Sequence, residues 1–252
     1  MKAKRIFFCG DVHGNFPFVI QSVRVHRPAA IIFLGDLQAQ RPLEQELDAI
    51  LYLTEIWFIH GNHDTDSQAD YDNLFRSALA DRNLHGRVAE IAGTRIAGLG
   101  GVFRGEVWHP PGEIQHESFA ALERSEANRP AVKAYRTERA RKHRSTIFPD
   151  EYFQLVGQRA DILITHEAPS CHPHGFEAID ELARNLRVHT TFHGHQHDRL
   201  DYRDQRERLG FMAYGVGFCG ITDQDGNIIC VGDFDEQNEQ RYQQYCREGK
   251  AV

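Results

Sequence analysis

Apolar residues fall along this chain in two alternating patterns: short unbroken runs, and stretches where they recur every third or fourth position. A short run bounded by glycine reads as a buried strand, and the wider spacing as one face of a helix. Residues 6–9 form the first run, which ends in Gly10-Asp11-Val12-His13-Gly14. A helix is expected next, with Asn15 as its N-cap, Pro17 in its first turn, and Phe16, Val19, Ile20 and Val23 as its stripe. Residues 30–34 form a second strand ending in Gly35-Asp36, and Leu43, Leu47, Ile50 and Leu51 mark a second helix. Residues 56–59 form a third strand, ending just before Gly61-Asn62-His63-Asp64. The polar strand ends at 11, 36 and 62 lie about one βα unit apart, as in a parallel sheet with crossover helices.

Residues 71–79 read as a helix, and 87–91 and 94–99 as two strands around Gly93. Segment 102–160 has a different character. It carries Trp108-His109-Pro110-Pro111-Gly112, then two polar helical stretches broken at Pro130, then a third opened by Pro149-Asp150 with Tyr152, Phe153, Leu155 and Val156. With few apolar residues of its own, it is expected to be a helical, Arg-rich insertion or cap on a single domain spanning 1–252. Strand character resumes at 161–165, ending in His166, and a helical stripe follows at Phe176, Ile179, Leu182 and Leu186. Residues 188–193 form another strand, ending in Gly194-His195-Gln196-His197. Later strands are expected at 211–216 and 228–233, with a hairpin signal at Asp225-Gly226.

Composition narrows the class. Of 252 residues, 41% are hydrophobic and 26% charged, which is globular usage with enough apolar mass for a sizeable core. A formal charge of −7 argues against a general nucleic-acid or membrane binder. No apolar run approaches the ~20 residues that span a bilayer. Lys2, Lys4 and Arg5 precede an apolar run too short for a signal peptide, so a soluble cytoplasmic protein is expected. Cys9, Cys171, Cys219, Cys230 and Cys246 make an odd set with no CxxC spacing, which speaks against a disulfide framework or a thiolate zinc site.

The chemistry lies at the strand ends. Five of them finish in Asp11 with His13, in Asp36, in Asn62 with His63, in His166, and in His195 with His197. In an open α/β sheet the C-terminal strand ends form the ligand crevice, so residues far apart in sequence converge there. Asp-x-His and His-x-His put two side chains on one side of extended backbone. Carboxylate, imidazole and carboxamide donors without a thiolate suit Mn, Fe, Zn, Co or Ni. There are more donors than one ion needs, and two ions sharing a carboxylate would use them all. Two divalent ions against two aspartates leave a positive site that attracts an anion, and paired ions are the usual arrangement for phosphate-ester hydrolysis.

In these strand-end residues the sequence resembles the calcineurin-like metallophosphoesterases. The resemblance rests on Gly10-Asp11-Val12-His13-Gly14, Gly35-Asp36, Gly61-Asn62-His63-Asp64, Thr165-His166 and Gly194-His195-Gln196-His197, in that family's order. It implies a four-layer α/β/β/α sandwich of two mixed sheets. It also implies two divalent or mixed-valence transition-metal ions, Mn or Fe foremost, with Zn, Ni or Co as substitutes. By resemblance, Asp11, His13, Asp36 and His197 hold one ion, and Asp36, Asn62, His166 and His195 hold the other. A metal-bridging hydroxide is the implied nucleophile, and catalytic His63, with Asp64 behind it, donates a proton to the leaving oxygen or stabilises charge there. The second motif continues Leu37-Gln38-Ala39-Gln40-Arg41 where many relatives have GDxxDRG, which argues against the serine/threonine phosphatase branch.

Metal-dependent hydrolysis of a phosphate ester is therefore expected, with a phosphodiester favoured by the resemblance. A phosphomonoesterase acting on nucleotides or proteins is the alternative enzyme, and a non-catalytic metal-binding scaffold the alternative outside enzymes. The intact donor set with His63 speaks against the scaffold. A phosphorylated small molecule is the expected substrate. Segment 124–144 carries Arg124, Arg129, Lys133, Arg136, Arg139, Arg141, Lys142 and Arg144. Two readings stand for it: a solvated helix face, or a cap that brings positive charge to a polyphosphate or nucleic acid. Trp108 with His109 reads either as a stacking pair or as an anchor of the cap. His60 and His193 read as structural, and His172 with His174 either as substrate contacts or, in preference, as part of a flexible polar loop.

Overall fold

The computed structural model describes residues 5–127, 133–235, 237, 238 and 240. Ten short strands make two sheets of five. The first has the order β10-β9-β1-β2-β3, with β1 Ile6–Cys9, β2 Ala30–Phe33, β3 Glu55–Phe58, β9 Ile221–Asp223 and β10 Ile228–Cys230. The second runs in sequence, with β4 Arg87–Ile91, β5 Thr94–Leu99, β6 Ile162–Thr165, β7 Thr190–His193 and β8 Met212–Gly215. Strands β1, β2 and β3 are parallel, as are β5 through β8, while β4, β9 and β10 are antiparallel additions. Both sheets are thus mixed, with helices on their outer faces. The hairpin signal lies between β9 and β10, where Gly226 takes a positive φ of 83°.

The period of two decides what each sheet buries. From the first sheet Ile6, Phe8, Ala30, Ile32 and Leu34 face inward, where they meet Ile96, Ile162, Ile164 and Phe192 of the second. Phe8 and Phe192 stack across this layer with ring centroids 3.9 Å apart. The alternate residues Phe7, Cys9, Ile31 and Phe33 face the helix α1, Pro17–His26, through its Val19 and Val23. On the far side, Ile179, Leu182 and Leu186 of the helix Glu177–Leu186 pack with Leu163.

Several boundaries differ from the sequence reading. Phe16, not Asn15, occupies the cap position of α1, and Pro17 supplies the preset backbone angle instead of a side-chain cap. The second helix is only a turn, Leu43–Glu46, followed by a 3₁₀ turn at Asp48–Ile50. Leu47, at φ −109° and ψ 12°, breaks the helical path, yet Leu43, Leu47 and Ile50 still reach the same core. The apolar spacing serves a bent pair of turns as well as one helix.

Segment 102–160 contributes the helices Phe119–Ala127, Lys133–Lys142 and Pro149–Leu155. Its Val107, Trp108, Leu122, Ile147, Phe148, Tyr152 and Leu155 join the core outside the second sheet. Trp108 is buried edge-to-face against Phe103 and Tyr152, so it anchors the segment. Pro130 and Arg129 lie outside the described residues. Among described basic residues, Arg139 lies 3.6 Å from Glu126 and Lys142 3.9 Å from Glu106, while Arg144 covers the Phe119 ring. The described part of the basic segment is largely matched by its own acids and rings.

The inner layer gives a stability test. Phe192→Ala opens a cavity between the sheets and is expected to cost about 3–5 kcal/mol, read as a lower urea midpoint at unchanged slope.

Candidate metal centre

The C-terminal ends of β1, β2, β3, β6 and β7 meet at one edge, and the two sheets are tied together there by hydrogen bonds. Gly101 N–H donates to His60 O at 2.7 Å, and His166 Nδ1 donates to Leu34 O at 2.8 Å. A carbonyl can only accept, so His166 Nδ1 carries a proton, and Nε2 is the ring nitrogen turned toward the other donors. That Nε2 lies 3.1 Å from Asn62 Oδ1 and 3.4 Å from Asp36 Oδ2. His13 is set the same way: Nδ1 donates to Gln38 Oε1 at 2.5 Å, and Nε2 faces His197 Nε2 at 3.2 Å and Asp36 Oδ2 at 3.8 Å. His197 Nε2 is also 3.4 Å from Asp11 Oδ2.

Two donor groups emerge, each with its candidate ligand atoms within 4.8 Å of one another: His13, Asp36 and His197, and Asp36, His166 and His195. Asp36 belongs to both. Asp11 lies beside both, since its Oδ1 is 3.8 Å from His166 Nδ1. Among the described residues, the buried Asp11 Oδ1 has no hydrogen-bond partner, and two imidazole nitrogens face each other across the first group. An orphaned carboxylate oxygen and opposed ring nitrogens are what a cation would satisfy, so the residues present fit metal ions.

The backbone is strained to make this edge. His13, Asp36, His195 and His197 all adopt positive φ, at 41°, 47°, 68° and 58°. Such conformations cost roughly 1 kcal/mol or more each for side chains with a Cβ, and cluster at functional sites. The strain aims backbone donors at the carboxylates: His195 N–H reaches Asp11 Oδ2 and His63 N–H reaches Asp36 Oδ1, both at 2.8 Å. Gly61 is required at its place, because an added Cβ would land on Asp36 Oδ1.

The electrostatics follow from burial. Burial pushes the Asp11 carboxyl up, and Asp36 and Asp64 push it further, while His166 opposes them. Burial likewise opposes ionisation of Asp36, but His166 wins and lowers its pKa. For His166, burial is outweighed by Asp36 and Asp11, which raise its pKa to about 10. His195 is pushed down to about 3 by burial and by His166.

Asp64 does not take the part expected of it. Its Oδ2 accepts from Gly61 N–H and its Oδ1 from Gln38 N–H, both at 2.8 Å, so it staples the second motif to the third. Burial and Asp36 raise its pKa to about 7. The partner of His63 is instead Asp66, whose Oδ2 accepts from His63 Nδ1 at 2.6 Å. The turn His63–Thr65 is 3₁₀, which brings position i+3 back over position i and carries Asp64 inward. Burial lowers the His63 pKa, but Asp66 and Asp36 outweigh it and leave it raised. His63 remains 44% exposed, at the mouth of the site.

Other residues at the site escaped the sequence reading. Gln38 orients His13. Glu167 is buried, accepts from Phe103 N–H at 3.1 Å and lies 3.9 Å from His195 Nε2, and burial pushes its pKa up to about 7. His172 is buried rather than part of a flexible loop, with Nε2 3.1 Å from Asp198 beside the fifth motif. His60 and His193 are buried behind the edge. The loop 215–220 after β8 closes the site: Cys219 N–H donates to Asp11 O at 3.1 Å, and Gly10 is needed because a Cβ there would strike Gly217 O. Its only sequence signal is the glycine density around Phe218.

A family model for calcineurin-like phosphoesterases matches residues 4–199. The chain belongs to the calcineurin-like phosphoesterase family. It is also 40% identical over 224 residues to an uncharacterized protein of Haemophilus influenzae, a match that covers 89% of this chain and 96% of that one. In structure it is similar to the crystal structure of TT1561 of Thermus thermophilus, with a TM-score of 0.52 at 12% identity, covering 90% of this chain and 97% of that one. That likeness is one of fold, and its architecture is the two-sheet sandwich described above. Calcineurin-like phosphoesterases hydrolyse phosphate esters with divalent metal ions, and the donors assembled here are of the kind that activity needs. Among the described residues no helix is long and apolar enough to cross a membrane.

The division between the two aspartates can be measured. Asp66→Asn is expected to keep metal content and melting temperature while lowering kcat at least tenfold, the scale of a disabled general acid. Asp64→Ala, which frees two buried N–H groups, is expected to lower the melting temperature and the metal content together.

Proposed function

We propose that this protein is a phosphodiesterase built on a pair of metal ions that share Asp36. The observation that carries the reading is the membership of Asp36 in both donor groups. Asp11, His13, Asp36 and His197 would hold one ion, and Asp36, Asn62, His166 and His195 the other. Imidazole, carboxylate and carboxamide donors without a thiolate favour Mn or Fe, and also accept Zn, Ni or Co. When bound, the ions supply Lewis acidity to the phosphoryl oxygens and make a coordinated water more acidic.

The chain's own residues do the rest. Asp11 and Asp36 carry the negative charge that two cations need, and the backbone N–H groups of His195 and His63 keep their carboxylates aimed. His63, with Nδ1 committed to Asp66, holds a proton on Nε2 for the departing ester oxygen. Its raised pKa favours that protonated form near neutral pH.

Preference for a diester is supported by the rim. A monoester dianion calls for a positive clamp beyond the metals. The nearby guanidinium groups are engaged elsewhere. Arg141 donates to Thr65 O at 3.1 Å and Asp66 O at 3.0 Å, and Arg104 to Ser145 O and Thr146 Oγ1, both at 2.9 Å. Arg141 fastens segment 102–160 to the His63 turn, and Arg104 bonds within that segment, instead of reaching into the site.

The test is a matched assay on metal-stripped protein after adding back Mn, Fe, Ni or Zn. Turnover of bis-p-nitrophenyl phosphate above p-nitrophenyl phosphate is expected; the reverse order would make it a phosphomonoesterase. His63→Ala is expected to keep its metal and lose a hundredfold or more in kcat, on the order of a general acid's contribution. Asp36→Ala is expected to lose both ions, and unchanged metal content in that variant would refute the shared carboxylate.

A further inference from the structure

Two aromatic rings stand beside the metal edge without belonging to the hydrophobic core. Phe218 and Phe234 are absent from all three apolar clusters. The Phe218 ring packs instead on the site's imidazoles, stacked on His13 at 5.4 Å and edge-on to His197 at 5.0 Å. Phe234 continues the surface outward, with its ring 5.2 Å from that of Phe218 and 41% exposed. The pair is fixed by backbone: Asp233 N–H donates to Phe218 O at 2.9 Å, and Asn238 Nδ2 donates to His197 O at 3.1 Å. A single exposed phenylalanine is ordinary, but the exposed Phe234 backed by the half-buried Phe218 at the mouth of a polar site forms a ligand wall.

We infer that Phe218 and Phe234 form a shelf that receives a flat aromatic ring, a nucleobase or an aryl group, esterified to the substrate phosphate. This rests on the phosphodiesterase reading and names its substrate class. His13 lies between the shelf and His63, with ring centroids 5.4 Å from each. A diester held over the metal edge can thus place its leaving oxygen toward His63 and its retained arm toward the shelf. Asp235 turns inward to accept from Gly232 N–H, so the wall offers rings and no cation to a polyphosphate or a nucleic-acid strand. It suits one phosphate with one ring, because stacking needs a π-face and no added charge.

The experiment uses metal-loaded protein and three p-nitrophenyl diesters that share one leaving group: the methyl, the phenyl and the thymidine 5′ ester. Wild type is expected to favour the phenyl or thymidine ester over the methyl ester in kcat/KM. Phe234→Ala and Phe218→Leu are expected to cut that ratio about tenfold, the scale of one lost stacking contact. Phe218→Leu keeps apolar bulk beside His13 and His197, Phe234→Ala changes an exposed ring, and metal analysis of both checks the centre. Loss in the thymidine ratio identifies a nucleobase, and loss in the phenyl ratio alone a simple aryl group. Ratios unchanged in both variants would overturn the shelf. Binding of non-hydrolysable thymidine and phenyl phosphonates, read by calorimetry, tests it apart from turnover. Affinity about tenfold weaker in the variants supports the shelf even if no ester is hydrolysed, in which case only the hydrolase reading fails. Equal affinity in wild type and both variants overturns it.

Discussion

Burial of ionisable carboxylates at the meeting edge of two sheets is the constraint on which the rest of this structure depends. Asp11 and Asp36 are almost wholly removed from solvent, with Asp64 behind them. Several kcal/mol oppose an ionised carboxylate in such a place unless charge and hydrogen bonds compensate. Part of the compensation is internal, since His166 holds Asp36 ionised and two backbone N–H groups meet the carboxylates. The rest is missing from the polypeptide alone: Asp11 is pushed toward its neutral form, and one of its oxygens has no partner among the described residues. Divalent cations complete that balance, so the fold and the metal chemistry answer the same electrostatic problem.

The strained loops follow from this constraint. Candidate ligand atoms from five strand ends converge at this edge, and regular strands cannot turn that sharply. Positive φ at His13, Asp36, His195 and His197 provides the bend. Such strain persists only when surrounding structure over-determines it. The inner layer of Phe8, Ile32, Ile164 and Phe192, together with the bond from His166 to Leu34 O, supplies that rigidity. A change deep between the sheets therefore bears on the geometry of the edge as well as on stability.

The strands were legible in the sequence because buried runs bounded by glycine have few other readings. The donor residues were legible because each falls at such a boundary. Helix lengths were less so: Leu43, Leu47 and Ile50 keep helical spacing although Leu47 breaks the helix, since burial rewards the spacing and not the path between. Asp64 was misread because sequence adjacency to His63 suggested contact. A 3₁₀ turn instead brings Asp66 to the imidazole, and a buried N–H pair claims Asp64. Glu167, Gln38 and Phe218 had no signal of their own. Each acts through a long-range contact, from Glu167 to Phe103, from Gln38 to His13 and from Phe218 to His197, and single-sequence periodicity does not encode such contacts.

The same distinction separates the reaction from its substrate. The metal edge is made of strand ends whose positions the two sheets dictate, so its chemistry is written in short motifs at regular intervals. The rim is made of whatever is fastened around it. On one side Arg141 ties segment 102–160 to the His63 turn and Arg104 is occupied within that segment; on the other, the half-buried Phe218 of the 215–220 loop backs the exposed ring of Phe234 after β10. A positively charged rim would have favoured a polyanion, and a closed polar one a small phosphomonoester. On the proposed reading, a rim with one apolar wall and spent guanidinium groups leaves the metals to hold the phosphate and the wall to choose what is attached to it.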